Sequence, residues 1–403
     1  MKIKSKRGLG RILYAKAVYG REEIAAVVKC LKAGWLGPGE YTAAFEKKVA
    51  TRFGKRHALF LNSGSSANFF AVEIANLPKG SEIITQACTF PTTLSPIIQH
   101  GHMPVFVDSH VGTYQANLDQ IEAAISKRTR AIMVSHLLGN LNDMVRLRAI
   151  CDKHHLILIE DSCDTIGNTF RGKPTGQWSD ITTTSFYAGH HMTSGGGGGM
   201  VLTDNAAQLN EARVLTGWGR ALPEKDDRNI RQRFGFRIGN VSFDGRFTFV
   251  AIGYNFKGVE MQAAFGLVQL EKLARFNKVR EHNFARLLEF FRRYEQHFIL
   301  PKTSPGSHAY WLAFPLTIRE TSPIERRHLL AYLEQHNIQT RLLFSGNILR
   351  HPAYRRIRKR IAGPLTGADM ILERSFLIGC HHGLTEAHLD YMISVFDAYL
   401  RDK

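Results

Sequence analysis

Six short, apolar, β-branched runs punctuate the first half of the chain, and the segments between them limit which folds are open. The runs are His57–Leu61, Ser81–Ile84, Pro104–Asp108, Ala131–Ser135, Leu156–Glu160 and Ile181–Thr184. Segments of helical period, such as Leu118–Ile125 and Met144–Cys151, separate them. Short buried strands that alternate with helices predict an α/β fold with a mostly parallel central sheet and right-handed crossovers. A strongly helical stretch over 261–294 follows, then a strand at Trp311–Ile318 and a helix at Ile324–His336. The expected organisation is a large domain over residues 1–275 and a smaller C-terminal α+β domain over 276–403. A chain of 403 residues suffices for two such units, each with a core.

Other features narrow the class. Residues 1–20 are basic but lack a signal-peptide core, and no run of about 18 apolar residues occurs, so a cytoplasmic protein with no membrane partner is expected. The five cysteines, Cys30, Cys88, Cys151, Cys163 and Cys380, have no CxxC spacing and read as reduced thiols, with no metal site. The formal net charge is +18, and Tyr354–Arg360 is densely basic. Phosphate binding to nucleic acid is one reading of that charge. The other is a solvated face, or a field that attracts a small anionic substrate. No zinc-finger or RNA-recognition signature accompanies the basic residues, so the expectation is no nucleic acid partner. Glu224–Asp244, rich in charge, reads as a long loop insertion.

Polar clusters sit just past three of the strands: Asn62–Ser66, Asp161 and Ser185. Ligands of open α/β sheets bind outside the carboxyl ends of the strands, so the three clusters point to one site. Asn62–Asn68 opens a helix with small residues, which suits a phosphate, although Ser and Gly are also common helix caps. Glu160–Asp161 ends an apolar run, so at least one carboxylate needs a cationic or hydrogen-bonding partner. A protonated pyridine nitrogen would serve, and so would a plain capping role. Phe90 follows the second strand and reads either as a cover for a flat ring or as core. Finally, Ser185–Val201 places His190 and His191 ahead of five glycines, Gly195–Gly199.

Taken together, Asn62–Asn68, Ile159–Asp164, Ser185–Tyr187 and Gly253–Gly258 resemble, in order and spacing, the vitamin B6-dependent sugar aminotransferases of the DegT/DnrJ/StrS type. The resemblance runs from about Gly34 to Gly379 and implies an aspartate-aminotransferase-like (type I) large domain. Ordinary members carry Ser-Phe-His-x-x-Lys, whose lysine forms an internal Schiff base with pyridoxal phosphate. Here His190 stands at the lysine's spacing, and imidazole cannot form that bond. Together with Leu137–Asn140, Gly217–Arg220 and Thr340–Asn347, this is similar to the branch of 3-dehydratases and 3-dehydrases that remove the C3 hydroxyl of nucleotide-linked 4-keto-6-deoxyhexoses.

That resemblance implies a noncovalent pyridoxamine 5'-phosphate or pyridoxal 5'-phosphate cofactor, with His190 as acid and base. It assigns Gly64, Ser65 and Ser185 to the cofactor phosphate, Phe90 to the ring face, Asp161 to the pyridinium nitrogen, and Asp164 to the vicinity of the ring hydroxyl. Asn255 would reach the phosphate of a neighbouring subunit, which implies a homodimer with shared active sites. Arg220, Arg341 and Asn347 would bind substrate, although a surface ion pair suits either arginine equally. His191 reads as a supporting neighbour. Iron-sulphur members of the branch carry clustered cysteines after Gly-Trp-Gly-Arg, whereas residues 220–260 here contain none. An amino donor such as L-glutamate is therefore the expected source of reducing equivalents, and a separate reductase is the alternative. Gly196 replaces the glutamate usual in relatives. A non-catalytic binding protein is the remaining reading.

Overall fold

A computed structural model describes residues 8–222, 230–401 and 403. Its centre is an eight-stranded sheet. The strands are β1 (His57–Leu61), β2 (Glu82–Gln86), β3 (Met103–Val107), β4 (Thr129–Ser135), β5 (Ile157–Asp161), β6 (Ile181–Ser185), β7 (Gly199–Thr203) and β8 (Arg360–Ile361). Their spatial order is β1-β7-β6-β5-β4-β2-β3-β8. The run from β6 to β8 is parallel throughout, and β7 lies antiparallel to both β1 and β6. β2, β3 and β6 are buried along their whole length, as strands covered on both faces must be, and this is why they read as continuous apolar or Thr-rich runs rather than as alternation.

Three helices position the site. α1 (Gly64–Glu73) follows β1, α2 (Pro91–Gln99) follows β2, and α3 (Glu260–Phe291) is a 32-residue helix that links the large sheet to the C-terminal region. That region holds an antiparallel sheet of Phe298–Ile299, Phe314–Ile318 and Ser375–Ile378, packed with the helices Arg326–Gln335 and Glu386–Leu400. One apolar core runs unbroken from Leu61 and Ile159 in the large sheet through Phe291 and Trp311 to Phe314 and Phe396. Each such fully buried side chain contributes about 1.5–3 kcal/mol relative to exposure.

The boundary expected at residue 275 falls inside α3, within the helical stretch read over 261–294. Sequence position and spatial unit diverge in two places. Ile12 pairs with Ile338, and β8 returns from the C-terminal third to the edge of the large sheet. The basic run Tyr354–Arg360 therefore ends in a strand, where Arg360 donates to buried Glu82 at 2.6 Å. The expected loop over 224–244 also needs correction. Residues 223–229 lie outside the described residues, but Phe236–Ile238 and Val241–Phe243 form an antiparallel hairpin. Its two-residue connection, Gly239-Asn240, supplies the positive φ that such a turn requires, with Gly239 at +59°.

Candidate active site

The carboxyl ends of β1, β5 and β6, with the loop after β2, open into one cavity of about 770 Å³. Gly64, Ser65, Phe90, Asp161, Asp164, Ser185, His190 and Arg341 all line it. At its floor, β1 turns into α1 through Ser63, whose side chain accepts from the Ser66 amide at 3.1 Å. A side chain at Gly64 would sit 2.6 Å from Ser185 Cβ and 3.0 Å from Cys163 Sγ. Glycine is therefore required for this close approach, which brings the first turn of α1 against Ser185. Ser65, exposed to the cavity, donates its hydroxyl to Thr92 at 2.9 Å. Unpaired first-turn amides and small hydroxyls at a helix N-terminus form a cradle for a phosphate dianion.

The two carboxylates at the end of β5 point to opposite faces, as strand alternation demands. Glu160 is fully buried on the far side, where it meets His136 Nε2 at 3.0 Å and accepts from Ser179 and Thr182. Asp161 faces the cavity. It accepts from Asn68 Nδ2 at 2.8 Å, the Thr93 hydroxyl at 2.7 Å and the Cys163 amide at 3.2 Å. These neutral donors orient the Asp161 carboxylate, and among the described residues it has no cationic hydrogen-bond partner. Above it, Phe90 is half exposed into the cavity with its ring edge-on to Phe344. A flat ring bearing a phosphate and a basic nitrogen fits this set: a dianion cradle, an anion for the nitrogen and an aromatic cover.

His190 lies on the loop after β6. Its Nδ1 is 3.4 Å from the Ser185 carbonyl, and its Nε2 is 3.7 Å from Asp164 Oδ1, within ion-pair reach but too long for a hydrogen bond. Burial pushes the imidazole down to about 4, against the pull of the Ser185 carbonyl and Asp161, so His190 is neutral at neutral pH. Asp164 moves the other way: burial, reinforced by the charge of Asp161, raises it to about 7 although the Leu138 amide donates to it at 3.1 Å. The site thus holds an unprotonated imidazole beside a carboxyl group poised between its two forms. His191 is wholly buried and binds the Tyr310 carbonyl through Nε2, in keeping with a supporting role.

Two residues expected to bind substrate lie outside this cavity, and a third, Asn255, is expected at the site of a neighbouring subunit. Asn347 is fully buried and spends its amide on Asp369 at 2.7 Å and on capping Leu349. Arg220 lines a separate cavity with Glu46, Arg213 and Lys257, its guanidinium 4.4 Å from the Trp218 ring centre. Asn255 is exposed outside the cavity of its own chain.

The model of the DegT/DnrJ/EryC1/StrS aminotransferase family matches residues 18–397. The chain belongs to that family. Among its relatives, the lipopolysaccharide biosynthesis protein RfbH of Salmonella typhimurium is 39% identical over 95% of this chain and 90% of its own length. The dTDP-4-dehydro-2,6-dideoxy-D-glucose 3-dehydratase of Saccharopolyspora spinosa is 40% identical over 94% of this chain and 84% of its own. A solved GDP-4-keto-6-deoxymannose-3-dehydratase with a trapped PLP-glutamate geminal diamine superposes with a TM-score of 0.86 at 26% identity, covering 95% of this chain and 99% of that one. The aminotransferase fold expected from the four motifs is thus the fold found.

Sequence reasoning missed part of this family site. Leu13, Tyr14, Ala15, Lys16 and Ala17 form one wall of the cavity, next to Gln339 and Leu342. No local pattern marks them, because the wall depends on the pairing of Ile12 with Ile338. Arg280 was also missed. It is fully buried in α3 and donates to the His190 carbonyl at 3.0 Å. The buried stripe Leu273, Asn277, Arg280, Phe284 and Leu287 carries it at helical spacing, and a charge on that stripe was the available clue.

Proposed function

We propose that this chain removes the C3 oxygen of a nucleotide-linked 4-keto-6-deoxyhexose, with pyridoxamine phosphate held noncovalently. The observation that carries the reading is His190: a neutral, cavity-lining imidazole at the place where ordinary family members keep a lysine, with Asp164 3.7 Å from its Nε2. The 3-dehydratase names of two of the relatives above support the reaction class.

When bound, the cofactor would supply a primary amine for the sugar ketone and a conjugated ring that takes up electrons. The chain's own residues divide the rest of the work. Gly64, Ser65 and Ser185 bind the phosphate, Asp161 holds a proton on the ring nitrogen, and Phe90 covers one face and keeps water off it. His190 Nε2 takes up one proton and delivers one to the departing C3 hydroxyl, and Asp164 supports the imidazolium between those events. The cycle closes when an amino donor such as L-glutamate is oxidised to its 2-oxo acid. Ammonia leaves, and the water lost at C3 balances the water used in hydrolysis. The trapped glutamate adduct of the solved relative favours this donor over an external reductant. The reading includes a homodimer, supported by Asn255 and by the exposed apolar side chains Phe247, Phe249, Val250 and Ile252 beside it.

Incubation with a panel of nucleotide-linked 4-keto-6-deoxyhexoses, pyridoxal phosphate and glutamate tests the reading by mass. Loss of one oxygen from the sugar, with 2-oxoglutarate formed in equal amount, is the expected result. Borohydride treatment of the holoprotein should attach no cofactor to the chain. A reduced adduct on any lysine, Lys16 at the cavity wall included, would overturn noncovalent binding, and simple transamination of the sugar would overturn the reaction.

A further inference from the structure

Arg280 occupies a core position of α3 with its side chain wholly buried. Among the described residues no carboxylate pairs with it. Its guanidinium donates instead to two main-chain carbonyls, Nη1 to Leu312 at 2.9 Å and Nη2 to His190 at 3.0 Å, while Nε has no partner. Burying a charge without a counter-ion is costly, and an apolar side chain would pack the same helical stripe without that cost. Both carbonyls belong to residues that line the cavity, so the guanidinium joins two of its walls from behind.

The groups around it share a pattern. Tyr14, Cys380 and Asp164 feel the guanidinium from three other segments. His191, His381 and His382 are driven toward the neutral form, first by burial and then by this charge. His190 itself faces Asp164, Asp161, Tyr187 and Arg280.

We infer that Arg280 is a positioning residue for His190: it pins the main chain of the base to the wall that carries Leu312, so that the imidazole stays over the cavity. This rests on the proposed role of His190 as base. A tethered carbonyl restricts the loop that carries the imidazole without occupying either ring nitrogen, leaving Nε2 available for proton transfer. The fixed positive charge also opposes a lasting imidazolium, which favours handing the proton onward.

The test uses the full-length holoprotein with Arg280→Met and Arg280→Lys. The first readout needs no substrate: the imidazole resonances of His190, identified by their loss in His190→Asn, are followed by NMR against pH. In Arg280→Met the His190 signal should broaden and titrate closer to the ordinary 6.5, and kcat should fall about 100-fold with KM nearly unchanged. Arg280→Lys keeps the charge and one donor, so it should hold the titration low and restore much of kcat. If the Met variant does not fold, Arg280→Gln removes the charge and is read by the same titration. An unchanged His190 titration together with unchanged kcat in Arg280→Met, or in Arg280→Gln where that variant stands in, overturns the inference. So does an equal loss in the Lys and Met variants. Full activity of His190→Asn would remove the base, a failure of the proposed function that is visible apart from the NMR result.

Discussion

Asp164→Asn separates the chemistry proposed for the site from its stability. The substitution keeps the shape of the side chain and its acceptor for the Leu138 amide, and removes one ionisable group 3.7 Å from His190 Nε2. A full charge pair at that distance is worth about 4 kcal/mol at an effective dielectric of about 20. Even half of that, about 2 kcal/mol, is a factor of roughly 30 in rate. The sign with pH follows from the raised value of about 7, caused by burial and by Asp161. Below pH 7 the carboxyl is protonated and gives the imidazolium little support; above it the carboxylate forms and kcat rises. The variant should lose that rise, so the deficit is large at pH 8 and small at pH 6. Stability should move the opposite way. A carboxyl whose folded pKa lies above its unfolded one opposes folding increasingly as pH climbs from about 4 to 7, so Asp164→Asn should melt higher than the parent at pH 8. Rate profiles from pH 5.5 to 9 and thermal melts at both ends make the measurement. A variant that retains the limb near pH 7, or that melts lower at pH 8, refutes the reasoning.

Three further outcomes are expected. Gly64→Ala should abolish retention of pyridoxal phosphate through gel filtration, because its new carbon would meet Ser185 and Cys163 at the floor of the phosphate cradle; undiminished retention counts against that cradle. His382, stacked on Phe276 with neither ring nitrogen hydrogen-bonded among the described residues, is pushed down to about 2 chiefly by burial. Its folded form resists the proton that the unfolded chain accepts near 6.5, so stability drains as pH falls below that value, by about 2 kcal/mol at pH 5. His382→Phe should therefore raise Tm at pH 5 and change it little at pH 8. Asn347→Ala removes a buried cap and the bond to Asp369, and should cost about 1–2 kcal/mol in urea unfolding while KM for the sugar stays the same; a raised KM would return Asn347 to the substrate.

The large sheet was readable because strands buried on both faces leave unbroken apolar runs, and because strand ends are where such sheets bind ligands. This placed Asn62–Asn68, Asp161 and Ser185 together before any coordinates. The choice of Asp161 over Glu160 came from the resemblance and not from the strand pattern, since alternation decides it only once one face is known to be the cavity. The contacts of Arg220 with Trp218 and of Asn347 with Asp369 were not readable, because they are tertiary facts that no motif displays. The hairpin Phe236–Phe243 hid within a charged stretch whose two strands are only three residues each.

The wall formed by residues 13–17 against Gln339–Phe344 has a consequence for synthesis. Its two halves are made more than three hundred residues apart, joined through Ile12 and Ile338. A chain still emerging from the ribosome can lay down the phosphate cradle, β5, β6 and His190 while the mouth of the pocket stays open on one side. Premature termination between about residue 200 and residue 340 would therefore leave a fragment that carries the residues of the cradle, Asp161 and His190 but lacks one wall of the pocket. Enclosure of the pocket is thus among the last features that synthesis can complete.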